Sequence, residues 1–355
     1  MIIFINKRTN LQSKQLQSNI LSDVPVNLLA KSKGVALITV MLIVALCAVI
    51  ATQMTARLQV QMQRSANIAF NQQAYWYAMG AEAFAKRVLS STFKTDEDVT
   101  NLEQNWAQGE NTYPVDFGEI TGEIVDLQSC LNLNALRAST SSTGNGIEKS
   151  PARLALELLF INLELDNISQ FEAESMADAL TDWLDDNSGI SSTGGAEDND
   201  YASKEFPYLT ANNYLASVNE LRIIEHFTPA VIEAIKPYVC VIPASSMHQI
   251  NINTLNSDHV ELLQALLDST PEEAQSILGE RGDKGFDSLD DFYNSTAIGK
   301  LTDFNDKKDQ FVVDSEYFKL KASASFNNSF FAMNSVMKVT KNTQIDVISR
   351  TVGRN

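Results

Sequence analysis

From Val35 to Ala56 the chain reads VALITVMLIVALCAVIATQMTA, 22 residues without a single charge. At 1.5 Å rise per residue, a helix of that length matches a hydrocarbon core about 30 Å thick. A helix that is apolar on every side must be covered by lipid or by other helices, so this segment predicts a membrane span. The competing reading, a secretory signal, has an apolar region of about 7–15 residues followed by a small-residue cleavage site. Residues 1–34 hold Lys7, Arg8, Lys14, Lys31 and Lys33 against Asp23 alone, whereas the whole chain has a net charge of −17. Because basic flanks stay cytoplasmic, the pattern predicts a single-pass protein with a cytoplasmic N-terminus and an exported body after about Arg57.

Beyond the span, Met62, Ala66, Ala69, Trp76, Met79 and Ala83 recur at helical spacing, and no proline lies between Val35 and Pro114. One helix from about Ala36 to about Leu89 is predicted, with Gln and Asn at many of its polar positions, as suits packing beside other helices. Phe117–Leu127 has short β-like runs, with Gly118 and Gly122 read as breaks, and helical patterns then persist to about Asp303. Ala138–Gly146 reads as a loop. β character returns at Tyr317–Ser325, Phe330–Thr340 and Thr343–Val352, separated by turns at Asn327-Asn328 and Lys341-Asn342. The expected fold is α+β: a long N-terminal helix packed on a small antiparallel sheet, with a large, mostly α-helical insertion between strands. The expected division is 1–34 before the span, 35–56 in the membrane, 57–129 as helix and first strands, 130–310 as the insertion, and 311–355 as the last strands.

Lys31-Ser32-Lys33-Gly34 followed by Val35-Ala36-Leu37-Ile38-Thr39-Val40 resembles a prepilin-type signal. That resemblance implies a cytoplasmic leader, here residues 1–34, removed by prepilin peptidase between Gly34 and Val35 while the apolar helix stays on the mature protein. Further matches are Asp126-Leu127-Gln128, Leu131-Asn132-Leu133-Asn134-Ala135-Leu136, Asp182-Trp183-Leu184-Asp185 with Gly195-Ala196-Glu197-Asp198, and Ile250-Asn251-Ile252-Asn253-Thr254. With these the chain resembles the minor pseudopilin family called general secretion pathway protein K, of the bacterial type II secretion system. The resemblance implies a pilin-like fold in the bacterial inner membrane with a periplasmic C-terminal domain. It also implies a non-enzymatic role at the pseudopilus tip and, as partners, other minor pseudopilins, prepilin peptidase and the inner-membrane secretion platform. Most pilin-like subunits carry glutamate five residues after the cleavage point, where it neutralises a neighbour's terminal amine; this chain has Thr39. An unpaired ammonium in low dielectric is costly, so a subunit without that carboxylate suits the end of a fibre.

Asp178, Asp182, Asp185, Asp186, Glu197, Asp198 and Asp200 crowd a short segment with Asn187-Ser188-Gly189 and Gly194-Gly195 between them. Such carboxylates repel unless a cation compensates them, and Ca²⁺ takes 6–8 oxygens from flexible loops of this composition. The residues alone slightly favour a solvated acidic loop, and their order departs from the EF-hand pattern. The family resemblance implies a structural Ca²⁺ site, with Asp182, Asp185, Asn187, Glu197, Asp198 and Asp200 as the expected ligands.

The segment from Ile250 to Phe292 looks like a helix-hairpin-helix unit, which raises the alternative of a DNA-uptake component. However, Leu267-Asp268-Ser269-Thr270-Pro271-Glu272-Glu273 stands where a glycine hairpin would meet phosphates. With an acidic body as well, no nucleic acid partner is expected, and the unit is read as a sterile alpha motif (SAM)-like protein-interaction surface. The other alternative, a membrane-anchored periplasmic enzyme, finds no G-x-S-x-G, H-E-x-x-H or Walker-type motif. His226, His248 and His259 lack Cys or His neighbours at ligand spacing. Cys47 lies in the span, while Cys130 and Cys240 would both be exported to an oxidising compartment that permits a bridge between them.

Overall fold

In this computed structural model the described residues are 33–353, except 96–97, 138–141, 144–145, 148, 167, 283, 302 and 341–343. Most of the basic leader, part of the Ala138–Gly146 loop and the Lys341-Asn342 turn lie outside them. Helix α1 (Lys33–Thr95) is one uninterrupted helix, longer at both ends than its sequence pattern suggests. It is the one helix among the described residues long and apolar enough to cross a membrane.

Residues Met1–Ser65 and Ala66–Asn355 form separate compact units. Within the second unit, α1 lies on a five-stranded antiparallel sheet of β1 (Asn111–Val115), β2 (Gly118–Asp126), β9 (Tyr317–Phe326), β10 (Ser329–Thr340) and β11 (Gln344–Val352), ordered β1-β2-β9-β10-β11. Strict alternation builds its inner face. Phe318, Leu320, Ala322 and Ala324 of β9 point to α1, whereas Lys319, Lys321 and Ser323 fall on the opposite side. Asn327 takes the left-handed conformation (φ 49°) that turns β9 into β10.

Of the residues that recur at helical spacing, Met79 packs against the sheet core, whereas Trp76 is 63% exposed. The buried line is Ala74, Ala78, Glu82, Ala85, Leu89 and Phe93, because a helix lying close on a sheet selects alanine where large side chains would hold it off. Glu82 is tolerated there because Arg350 donates from Nε (2.6 Å) and Nη2 (2.8 Å) and Ser335 Oγ donates at 2.6 Å; the Arg350 guanidinium keeps its carboxyl below the ordinary range. One expectation needs correction: Gly118 and Gly122 do not break the strand, since β2 begins at Gly118 and runs through Gly122. A Cβ on Gly118 would stand 2.0 Å from the Ser325 carbonyl oxygen, so this glycine permits close strand contact.

Between β2 and β9 the chain forms the helical insertion. Its main helices are α2 (Pro151–Asn162), α3 (Gln170–Leu184), α5 (Pro229–Ile235), α6 (Val260–Leu267) and α7 (Pro271–Arg281), with one-turn helices α4 (Asp198–Ala202) and α8 (Leu289–Tyr293). Local signals start them. Ser150 caps α2 ahead of Pro151, and Ser169 with Glu172 and Thr270 with Glu273 form capping boxes on α3 and α7. Ala152, Ala155, Leu156, Leu159 and Phe160 of α2 meet Met176, Leu180 and Leu184 of α3 in a continuous apolar core. A two-residue hairpin pairs β4 (Ser142–Thr143) with β5 (Gly146–Ile147).

Short parallel bridges fasten the insertion: β3 (Leu131–Asn132) with β6 (Val239–Cys240), and β7 (Ile250–Asn251) with β8 (Phe311–Val312). Four buried asparagines act beside them. Asn132 donates to the Ser245 and Met247 carbonyls and accepts from Ile242 N, and Asn134 donates to the Leu215 and Ile242 carbonyls and accepts from Leu215 N. Asn251 donates to the Thr100 carbonyl and Ser315 Oγ, and Asn253 both donates to and accepts from the Phe286 backbone. A primary amide mimics a peptide group, so each pins distant loops without leaving a buried polar atom unpaired. Gly285 is required beside this clamp: its φ is +82°, and a Cβ would stand 2.4 Å from Asn253 Cγ.

Candidate functional site

Helix α3 places Asp178 and Asp182 one turn apart and ends at Asp185. Asp178 is compensated. Arg153 of α2 approaches it at 2.5 Å and Glu157 at 2.8 Å, while Lys149 joins Glu157 (2.7 Å) and Glu174 (3.0 Å); Ser192 Oγ also donates to Asp178. Among the described residues, Asp182 and Glu197 have no such cation. Oδ1 of Asp182 accepts from Ser191 N at 3.1 Å, but its Oδ2 is buried without a hydrogen-bond partner, as is Oε1 of Glu197. The passing backbone at Gly195 is close enough that a Cβ there would stand 2.0 Å from Asp182 Oδ2.

Electrostatics single out the same group. Burial pushes the Asp182 carboxyl above its ordinary range, reinforced by the charges of Asp185 and Asp178. Burial raises Glu197 too, followed by the charges of Asp182 and Asp185. Asp185 is raised mainly by burial and accepts from Asn187 N (3.0 Å) and Nδ2 (2.7 Å). Asp182, Asp185 and Glu197 are therefore brought within mutual electrostatic reach, a strained arrangement that a hard cation would relieve.

The other three expected ligands have protein partners. Asn187 Oδ1 accepts from Gly189 N at 2.8 Å, Asp198 Oδ1 from Thr210 N (3.0 Å) and Oγ1 (2.6 Å), and Asp200 Oδ2 from Glu197 N (3.0 Å). Among the described residues no group of three His, Cys, Asp or Glu converges closely enough to hold a metal as it stands. Sequence reasoning missed Arg153, the cation that neutralises Asp178 of the acidic segment. Its only signal is a basic residue on the otherwise apolar side of an amphipathic helix.

The other sequence candidates lie apart. His226 Nε2 donates to the Gly194 carbonyl (3.1 Å), the half-buried His248 donates to Gln310 Oε1 (2.9 Å), and His259 packs on the Tyr238 ring. Thr39 Oγ1 donates to the Ala36 carbonyl at 2.9 Å within α1, and Gly34 and Val35 occupy the first turn of that helix. Cys130 and Cys240 are joined by a disulfide with Cα atoms 5.8 Å apart, leaving Cys47 free.

At the junction of sheet and insertion, Asp126 accepts from Thr254 Oγ1 (2.6 Å), Ser315 Oγ (2.6 Å) and Gln128 N (2.7 Å). Burial pushes its carboxyl to about 6. In the α6–α7 segment, Asp268 is the left-handed cap of α6, and Glu272 and Glu273 open α7; this turn carries acids where a phosphate contact would need donors.

Residues 129–244 and 250–314 match the two family profiles described as type II secretion system (T2SS), protein K. The chain belongs to this family. It is 39% identical to type II secretion system protein K of Aeromonas hydrophila over 258 residues, 71% of this chain and 77% of that one. Against the Klebsiella pneumoniae protein of the same description it is 34% identical, covering 91% of this chain and 97% of the relative. Among solved structures it resembles a chain in the crystal structure of the GspK–GspI–GspJ complex from the enterotoxigenic Escherichia coli type 2 secretion system. The TM-score is 0.72 at 29% identity, over 84% of this chain and all of that one. The chain is thus a minor pseudopilin of the type II secretion system, an assembly subunit rather than an enzyme, and its architecture of long helix, small sheet and helical insertion is that of the family.

Proposed function

We propose that this subunit caps the tip of the type II secretion pseudopilus, assembling with other minor pseudopilins to initiate or limit the fibre during export across the outer membrane. The observation that carries this reading is Thr39. Its hydroxyl is spent on its own helix at the Ala36 carbonyl, so it offers no charge to a neighbour's terminal ammonium, and an uncompensated ammonium is costly in a membrane-like fibre core. A similar chain crystallised as part of a GspK–GspI–GspJ complex, which supports hetero-assembly with other minor pseudopilins. In this reading prepilin peptidase cuts between Gly34 and Val35, Lys31 and Lys33 keep the leader cytoplasmic, the secretion platform of the inner membrane receives the helix, and residues 130–310 carry a SAM-like interaction surface in the periplasm. Position along the fibre is the test: a tag on this chain should mark one end of isolated pseudopili, and a tag found along the shaft rejects the cap.

A structural Ca²⁺ ion belongs to the same proposal. Asp182 Oδ2 and Glu197 Oε1, each buried and unpartnered, fit a hard cation, with Asp185 beside them and Asn187, Asp198 and Asp200 completing the loop. Bound there, the ion would supply positive charge that fixes the loop after α3. At free calcium about 100-fold above the dissociation constant, the unfolding free energy should rise by about 2.7 kcal/mol. Thermal unfolding of the detergent-solubilised chain in calcium and in chelator reads this directly. Asp182→Asn and Gly195→Ala should both remove the calcium-dependent increment, and identical midpoints for the unaltered chain in calcium and in chelator would exclude the site.

A further inference from the structure

The sheet face turned away from α1 is roofed by the insertion, and between them lies a cleft of about 760 Å³. That volume is in the range of about 300–1,000 Å³ that holds small ligands. Its floor is the outer side of β2, β9, β10 and β11; its wall is residues 216–219 and the segment from Lys236 to Pro243, together with His259. On a chain of net charge −17, this cleft presents three lysines, Lys236, Lys319 and Lys321.

The acidic groups there are already engaged. Glu123 pairs with Lys321 at 2.8 Å, and Asp126 is buried and held by Thr254, Ser315 and Gln128. Lys236 stands 3.8 Å from Glu233, both exposed, and His259 is packed on Tyr238. Lys319 differs from all of these. It is half-buried between Val125 of β2 and Val336 of β10, and no carboxylate lies against it among the described residues. Burial, and then the charge of Lys321, pushes its ammonium below the ordinary range.

A half-buried ammonium with no counter-charge is unfavourable, and an incoming carboxylate would gain a charge-assisted bond while relieving that cost. We propose that this cleft binds an acidic peptide segment of a partner protein, with a carboxylate seated on Lys319. The apolar rim of Val125, Val336, Val239 and Pro237 suits alternate side chains of an extended peptide. A polyanion is disfavoured, because Glu123 already neutralises Lys321 and the chain as a whole is acidic. The inference does not depend on the tip position proposed above, since binding is read on the isolated chain.

The test uses the full chain in detergent and a fluorescent, terminally blocked hexapeptide of alternating glutamate and valine, beside its glutamine counterpart. The glutamate peptide should bind saturably and at least about tenfold more tightly, the change expected for one charge-assisted hydrogen bond. Lys319→Gln should lose about that factor, Lys319→Arg should largely retain binding, and Lys300→Gln, outside the cleft, should change nothing. Carbodiimide coupling on the unaltered chain avoids reliance on any variant's folding: the bound peptide should be found on Lys319 ahead of the more exposed lysines. Equal affinity for both peptides, coupling spread according to exposure, or a folded Lys319→Gln chain that binds normally would overturn the proposal. Displacement of the peptide by inorganic phosphate, but not by chloride at equal ionic strength, would assign the cleft to phosphate and overturn it as well.

Discussion

Phe318→Ala should destabilise the chain by about 3–5 kcal/mol, the range for emptying a large aromatic site in a packed core. Phe318 is fully buried in β9, with Asp126 of β2 on one side and Met337 of β10 on the other. Its ring meets Phe93 near the end of α1 at 5.6 Å between centroids and Trp106 at 5.1 Å, both edge-on, the geometry aromatic pairs prefer. One side chain therefore joins helix, connector and central strand, and its loss leaves a cavity that none of the three can close alone. Denaturant unfolding of the solubilised chain measures the loss. Phe206→Ala, at a site 79% exposed, should stay within about 0.5 kcal/mol of the unaltered chain. Similar midpoints for both variants would mean that the sheet does not depend on this contact.

Removing the disulfide should cost about 2–4 kcal/mol. Cys130 and Cys240 are 110 residues apart in sequence, so the bridge restricts a long loop of the unfolded chain. It also sits beside the β3–β6 bridge, where Leu131 pairs with Val239 and Asn132 with Cys240, so its loss loosens the start of the insertion as well. A Cys130→Ser, Cys240→Ser chain should unfold at lower denaturant, and dithiothreitol should bring the unaltered chain to the same midpoint without affecting the variant. Thiol titration after denaturation should find Cys47 alone. Three reactive thiols, or a midpoint indifferent to both treatments, would contradict the bridge.

Several parts of this fold are visible in the sequence because their signals are local. The long helix follows from an uncharged span and the absence of proline, and the last three strands follow from alternation such as Phe318, Lys319, Leu320, Lys321. What the sequence conceals depends on partners far along the chain. The line of α1 that meets the sheet is built on Ala74, Ala78 and Ala85, residues that a search for large apolar positions passes over in favour of Trp76. Asn134 and Asn251 can be noted as a repeated Asn-x-Asn pattern, but their clamping role requires carbonyls 81 and 151 residues away.

The acidic loop shows the same limit at the candidate site. Its composition points to a cation, but only the fold reveals that Arg153 neutralises Asp178 while Asp182 and Glu197 each keep an unpartnered oxygen. Lys319 is a further case. Strand alternation assigns it to a solvent face, and the insertion then covers that face, which no local pattern conveys.

The most direct measurement is to image pseudopili isolated from cells carrying an epitope tag in an exposed loop of the inserted domain, with gold-labelled antibody. A subunit that lacks the neighbour-neutralising carboxylate at Thr39 should place gold at a single end of each fibre. Gold spaced along the length would show that further subunits stack above this one, and the cap would have to be abandoned.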